Sequence, residues 1–501
     1  MDKRELNDPF INADDENHPK VLMKKMVQAF YDTHKSSTFS ETSELEFRFG
    51  TIGHKPLKRT DYENVIKRLK TIGFTCSNYD GEYLLRIQPD VMNVHTGELM
   101  SNIRLELKGM KTIQEYCKTN DAPNIVSNPT FTSGFHKKTL AVVNGEKILN
   151  FQYPNLNFRG SYSTETYIHP NSAIAKDILS DWFKSPKHFR YINRISFTHP
   201  DFYPLRVDIS IVKSSTKEKG RGIHTVKIED SNVFQNVPDY EIELEVMNNK
   251  MYKMENSDML LQKIKQTIMA LLSGLQQSYF PIPYSEQRDV QKDYLKLLYT
   301  GIRTYVKELT PRYRISPQDF IGPSSYTLQM YNLADDFETQ KDVANIRKNF
   351  SVTEKADGIR HMLFINSIGY VYLINMSMNI KFTGMITKNK NVWNTLIDGE
   401  YIETNKLHEY IYLFAAFDIY FLNRNDVRDM VFISEEGRND RYSLLIQTID
   451  TMNLEPMVSS QNIYFYINYK TFYPVTKTNT IFDVCNEVHL VRVFQIIQDG
   501  D

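Results

Sequence analysis

The run Tyr240-Glu241-Ile242-Glu243-Leu244-Glu245-Val246 limits what this chain can fold into more than any other feature. Side chains alternate along a strand with a period of 2, so Glu241, Glu243 and Glu245 share one face and Ile242, Leu244 and Val246 the other. Carboxylates about 6 Å apart repel by roughly 3 kcal/mol at an effective dielectric near 20. Three on one face therefore call for a bound cation or a shifted pKa. The pattern recurs in Ser43-Glu44-Leu45-Glu46-Phe47-Arg48-Phe49-Gly50, in Ile103-Arg104-Leu105-Glu106-Leu107-Lys108 and in Arg206-Val207-Asp208-Ile209-Ser210-Ile211. One such strand reads as the wet face of an antiparallel sheet. Four of them, two with same-face carboxylates, read better as the interior of a barrel. There the acids hold a hard divalent ion such as Mg²⁺ or Mn²⁺, and the bases hold an anion. Metal-assisted hydrolysis of a polyphosphate needs that combination.

Composition narrows the class. The chain has 501 residues, which predicts two or three domains. Its formal net charge is −1, from 60 basic and 61 acidic residues, so any nucleic-acid binding must come from a local arrangement of charge. The three cysteines, Cys76, Cys117 and Cys485, form neither a disulfide framework nor a zinc spacing, which fits a reducing, intracellular setting. Met1 to Phe10 has no apolar signal core, and the most apolar stretch, Ile411 to Leu422, is too short for a bilayer span of about 20 residues.

Residues 1–17 are polar and read as a flexible terminus. Helical spacing predicts Lys20–Lys35, a helix capped at Thr60 or Asp61 and ending near Gly73, and a long helix Ser257–Gln277. Between Tyr83 and Val246 short alternating runs predict an antiparallel sheet or barrel. Ser278–Ser285, with two prolines, reads as a linker, and Val290–Leu309 as a helix. The expected domains are 18–285 and 286–501.

Glu-Leu-Glu-Phe-Arg-Phe near the start, paired with Glu-Ile-Glu-Leu-Glu about 200 residues later, resembles the tunnel-type triphosphatase superfamily. The particular likeness is to the RNA 5′-triphosphatase domain of large DNA-virus mRNA capping enzymes. The resemblance implies an antiparallel eight-stranded tunnel. Glu44, Glu46, Glu243 and Glu245 would bind the metal, and Glu241 or Glu245 would orient the attacking water. Arg194 and Arg206 would grip phosphates, with Arg104 and Lys138 as further candidates. An ordinary surface ion pair stays open as the alternative for each of these bases. Lys213 has odd parity against Arg206 and Asp208, so it would face inward only past a bulge.

In the second half, Lys355-Ala356-Asp357-Gly358-Ile359-Arg360 fits K-x-D-G-x-R and resembles motif I of covalent nucleotidyltransferases. Such a lysine attacks the α-phosphate of a nucleotide, and must be neutral to do so. Gly358 would allow the backbone near the nucleotide, and Arg360 would reach ribose or phosphate. Asp398-Gly399-Glu400, about 40 residues on, resembles motif III, with Glu400 on the ribose. Ala416-Phe417-Asp418-Ile419 resembles motif IIIa, with Phe417 stacked on the base. Arg441 and the run Phe320-Ile321-Gly322-Pro323 with Thr327-Leu328 are weaker echoes of the same family. The order fits a guanylyltransferase better than a ligase, and implies an α+β ligase-type (ATP-grasp-like) lobe using GTP as substrate.

No pair of lysines on a strand follows Phe417, and Asp499-Gly500 matches only the start of motif IV. The lobe is therefore expected to stop before motifs IV to VI and the OB-fold, with weak or absent GMP transfer. A separate chain would supply the rest or the cap methyltransferase. The reading is a capping enzyme acting on 5′-triphosphate RNA in the host cytoplasm or virion, with no membrane. Two rivals stand beside it. One is a tunnel triphosphatase for free NTP or polyphosphate. The other is a non-catalytic capping subunit that binds a nucleotide or a partner.

Overall fold

The computed structural model describes residues 18–35, 43–50, 56–299 except 77, 91–101, 219 and 249–253, 315–332 except 325, 326 and 328, 350–474 except 408, 435–437 and 459–464, and the backbone of 494–498. The expected flexible terminus 1–17, Leu328 and Asp499-Gly500 lie outside the described residues. The chain divides into two compact units after Gln277.

In the first unit eight strands close on themselves: β1 (Ser43–Phe49), β2 (Glu82–Pro89), β3 (Ile103–Lys108), β4 (Thr132–Leu140), β5 (Phe158–Ile168), β6 (Lys187–Thr198), β7 (Leu205–Ser214) and β8 (Asp239–Val246). The hydrogen-bonded path runs β1-β8-β7-β6-β2-β3-β4-β5 and returns from β5 to β1, antiparallel throughout. The barrel is turned inside out relative to an ordinary one. Leu45, Phe47 and Phe49 of β1 and Ile242, Leu244 and Val246 of β8 point outward. They are buried under α1 (Pro19–Lys35), α2 (Arg59–Thr71) and the long helix Ser257–Gln276. At roughly 1.5–3 kcal/mol per fully buried large apolar side chain, this outer layer supplies the main driving force. A second outer cluster gathers Leu85, Ile87, Leu105, Leu107 and Phe135 beneath Tyr116 and Trp182. Tyr116 belongs to a helix, Met110–Thr119, that alternation by itself does not reveal.

The second unit is built on a sheet in which β10 (Ile359–Ile365), β11 (Tyr370–Asn375), β12 (Ile380–Thr387), β13 (Thr395–Thr404) and β14 (Tyr410–Leu422) run in the order β14-β13-β10-β11-β12. A short strand β9 (Phe350–Glu354) belongs to a separate three-stranded sheet. The segment expected as a linker is packed instead. Ser278 Oγ donates to the Phe382 carbonyl at 2.9 Å, Phe280 bridges to Phe382 and Ile282 is 1% exposed. Its prolines deliver the chain into a helix, Tyr284–Leu298, which begins earlier than periodicity suggested because Pro283 occupies its N-cap. The continuation of that expected helix beyond residue 299 lies outside the described residues.

Candidate functional site

Closure of the barrel carries the charged faces of all eight strands into one lumen. Register makes Glu46 the cross-strand neighbour of Glu245, Arg48 that of Glu243, and Ser163 that of Glu44. The side chains then link into two ionic networks. In the first, Lys138 Nζ stands 2.8 Å from Glu44 and 3.3 Å from Glu46, Arg104 meets Glu165 at 2.5 Å, and Arg86 meets Glu106 at 2.7 Å. In the second, Arg48 pairs with Glu241 and with Glu243. Arg190 joins it on Glu241, Arg194 spans Asp208 and Glu243, and Arg206 bridges Asp208 and Glu245. The lumen thus sets the bases Arg48, Arg86, Arg104, Lys108, Lys138, Arg190, Arg194 and Arg206 against Glu44, Glu46, Glu106, Glu165, Asp208, Glu241, Glu243 and Glu245.

The networks fix the charge states. Burial pushes the Glu44 carboxyl up, with the adjoining Glu165 adding to the effect and Lys138 opposing it, to about 8. Burial likewise raises Glu245, against the pull of Arg206. At Glu243 burial is outweighed by Arg48, Arg194 and Arg86, which hold the carboxyl below its ordinary value. The Nε–H groups of Arg48, Arg104 and Arg206 are buried beside carboxylates, those of Glu243 at 3.4 Å, Glu106 at 3.8 Å and Asp208 at 2.9 Å, in ion pairs that lack good hydrogen-bond geometry. Charged pairs with imperfect hydrogen-bond geometry leave these guanidiniums able to turn to an anionic ligand in the lumen. Among the described residues no three acidic, histidine or cysteine side chains are grouped to hold an ion as they stand. The carboxylates are turned to their basic partners. The donor set nevertheless suits a hard divalent ion, because Glu44, Glu46, Glu243 and Glu245 are all-oxygen ligands on adjacent strands.

All of the phosphate-binding candidates, Arg104, Lys138, Arg194 and Arg206, lie in this lumen with Glu241. Lys213 does not. The β6–β7–β8 pairing has no bulge, and Lys213 Nζ donates to the Phe234 carbonyl on the outer side. Glu165, His136, Arg86 and Arg190 also line the lumen and escape a reading by strand. Glu165 sits in a run of Ser, Thr and Tyr with no second carboxylate to mark its face.

In the second unit Lys355 lies at the corner where the chain leaves β9 and enters β10. Its Nζ donates to Asp357 Oδ1 at 2.9 Å. That hydrogen bond and the Asp357 charge raise the amine's pKa, so Lys355 is protonated in this conformation. The corner rests on β13: Gly358 N donates to Glu400 Oε1 at 3.1 Å. A Cβ at Gly358 would stand 2.7 Å from Glu400 Cγ and from the Tyr401 carbonyl, so glycine is needed here for close approach. Arg360 is committed to protein partners. It grips Asp398 through Nε at 3.0 Å and Nη2 at 2.5 Å, and donates to the Pro323 carbonyl. Gly322, at φ +129°, makes room for it; a Cβ there would strike its Nη2.

Phe417 is displayed by a break in register. Asp398 pairs with Asp418 and Gly399 with Ala416, leaving Phe417 as the extra residue of a β-bulge. Arg360 lies 5.9 Å and Lys470 Nζ 5.7 Å from its ring. Arg441 anchors the bulge, donating to Asp418 Oδ1 at 3.0 Å from the start of the helix Arg441–Thr451. Lys470 was missed in the sequence. It is 5% exposed, and its backbone N–H donates to the Ala416 carbonyl at 2.8 Å. Burial lowers its pKa against the pull of Glu400 and Glu354. The strand preceding it, Tyr466–Tyr469, adds to β14 in parallel, a pairing that no local pattern announces.

Residues 339–492 match the family model described as mRNA capping enzyme, catalytic domain. A probable mRNA-capping enzyme of Acanthamoeba polyphaga mimivirus is 27% identical over 240 residues. The chain is similar to a viral mRNA capping enzyme. The match covers 48% of this chain and 16% of that longer relative. Among solved structures, the RNA triphosphatase domain of a trifunctional mimivirus mRNA capping enzyme matches at 18% identity and a TM-score of 0.33, covering 52% of this chain and 99% of that one. A triclinic structure of the mimivirus capping enzyme triphosphatase matches at 17% identity and a TM-score of 0.31, covering 50% and 96%. Among the described residues no helix is long and apolar enough to cross a membrane.

Proposed function

We propose that the first unit removes the γ-phosphate from a 5′-triphosphate RNA end and that the second transfers GMP through Lys355. One observation carries the first part: a closed lumen in which four carboxylates on adjacent strands are set against buried arginines. Glu44, Glu46, Glu243 and Glu245 would hold Mg²⁺ or Mn²⁺, which when bound offsets phosphate charge and acidifies water. Arg194, Arg206, Arg104 and Lys138 bind the phosphate oxygens, exchanging their carboxylate partners for the substrate. Glu241, released from Arg48 and Arg190, orients water for in-line attack on the γ-phosphorus. Once the bases have turned to the phosphates, the strand walls hold them there as charge develops in the transition state.

In the second unit the Lys355 amine attacks the α-phosphorus of GTP and pyrophosphate leaves. Asp357 must first release the amine, whose proton has to be lost. Glu400 receives the ribose, Phe417 stacks on the base, and Lys470, the buried cation beside that ring, donates to an acceptor on the base edge.

Phosphate release from triphosphate RNA, compared with release from free NTP in Mg²⁺ and in Mn²⁺, tests the first part. Glu44→Ala and Glu243→Ala are each expected to lower it by at least about 100-fold. Unchanged release would remove the metal-tunnel assignment and favour a binding role. Radiolabel from GTP is expected to appear weakly on Lys355, and not on Lys355→Ala.

A further inference from the structure

We infer that Tyr167 is the seat for the first nucleobase of the RNA, and so separates RNA ends from base-free polyphosphate. The inference rests on the triphosphatase reading of the tunnel. Tyr167 lies on the same face of β5 as Ser161, Ser163 and Glu165, and pairs in register with His136 of β4. It is the last inward-parity residue of its strand, at the rim, and is 52% exposed. Four strand steps separate it from Ser163, the neighbour of Glu44, which is about 13 Å along the wall. A triphosphate whose terminal phosphorus sits among the glutamates spans that distance with its ribose, and places the base at the rim.

The ring is held ready for the purpose. It meets His136 edge-on, with centroids 5.9 Å apart and planes at 72°. His136 is itself fixed by Glu165 at 3.2 Å. Gly134 leaves the space the ring needs: a Cβ there would lie 3.1 Å from Tyr167 Cε2 and 3.1 Å from His136 Nε2. Lys108, the last residue of β3 and 44% exposed in its side chain, ends its strand at the same rim and offers a cation to the RNA backbone. An aromatic face for the base, with cations along the path of the backbone, is how proteins hold a single strand without reading its sequence.

The test uses the full chain with Tyr167→Ala and Tyr167→Phe, and reads phosphate release from triphosphate RNA and from inorganic tripolyphosphate. Base–aromatic stacking is worth about 1–3 kcal/mol, so Tyr167→Ala should lower kcat/KM for RNA by about 5- to 150-fold. The loss should fall mainly on KM. Tripolyphosphate hydrolysis should be unchanged, and Tyr167→Phe should keep the RNA rate. An equal loss on both substrates, or none on RNA, overturns the inference while leaving the tunnel reading intact. If the unaltered chain releases phosphate from neither, the hydrolytic reading falls. Fluorescence anisotropy of triphosphate RNA then decides: weaker binding by Tyr167→Ala supports the seat, and equal binding overturns it.

Discussion

Asp398→Asn is expected to destabilise the second unit by about 3 kcal/mol, through the charge it removes. The Asp398 side chain is 0% exposed and Arg360's is 20% exposed. The carboxylate takes two hydrogen bonds from the guanidinium, at 3.0 and 2.5 Å, and one from Tyr420 OH at 2.7 Å. Removing one partner of a buried pair typically costs about 3–5 kcal/mol, because the remaining charge is left in a poor solvent. Partial access of water to Arg360, and the amide oxygen that still accepts from it, put the asparagine variant at the low end. Asp398→Ala, which also orphans Tyr420, should reach about 5 kcal/mol. Arg360→Met should cost less than Asp398→Ala, since burial already raises the Asp398 pKa and the carboxyl can take up a proton. The chain has two tryptophans, Trp182 and Trp393, one in each unit. Urea unfolding in a Trp182→Phe background therefore follows the second unit through Trp393. A double-mutant cycle between positions 360 and 398 should return a coupling of at least about 2 kcal/mol. An Asp398→Asn cost under about 0.5 kcal/mol, or a coupling near zero, would show that the pair is not what fixes Arg360 beside Phe417.

His361, 1% exposed, is held below its usual value, to about 4, mainly by burial. Its unfolded form takes up a proton near 6.5, so stability is full above that pH and falls as pH drops from about 6.5 to 4. The loss is about 3 kcal/mol, and His361→Gln should flatten that part of a denaturation-against-pH curve. Gly358→Ala should cut Lys355 labelling by at least about tenfold with a smaller effect on folding, since its Cβ meets Glu400 and the Tyr401 carbonyl; retained labelling would show that the corner can move. Lys470→Met should raise the GTP concentration needed for labelling about tenfold or more, as a charged hydrogen bond worth about 1.5–3 kcal/mol is lost. An unchanged requirement would remove Lys470 from the base pocket.

The alternation of charge with apolar residues in β1, β3, β7 and β8 is a local property, so the sequence alone established that these strands have one charged and one oily face. The motif around Lys355, the Asp398-Gly399-Glu400 run and Phe417 were legible for a similar reason, since the chemistry needs those residue types close together in the chain. The sequence pattern put the charged face inside a barrel, and the tertiary structure supplies the physical reason. Barrel closure puts charge in the lumen because helices cover the outer face and bury Phe47 and Leu244 there. It also decided which charge answers which. Arg48 with Glu241, and Lys138 with Glu44, are partners separated by long stretches of chain, and strand register sets them. Arg360 was expected to reach ribose or phosphate; in this structure its guanidinium pairs with Asp398 and donates to the Pro323 carbonyl, partners that only the fold brings to it. Lys470 reaches Phe417 only because a late strand adds in parallel to β14. Side-chain periodicity is written residue by residue, whereas partnership across strands is fixed by the closing of the sheet.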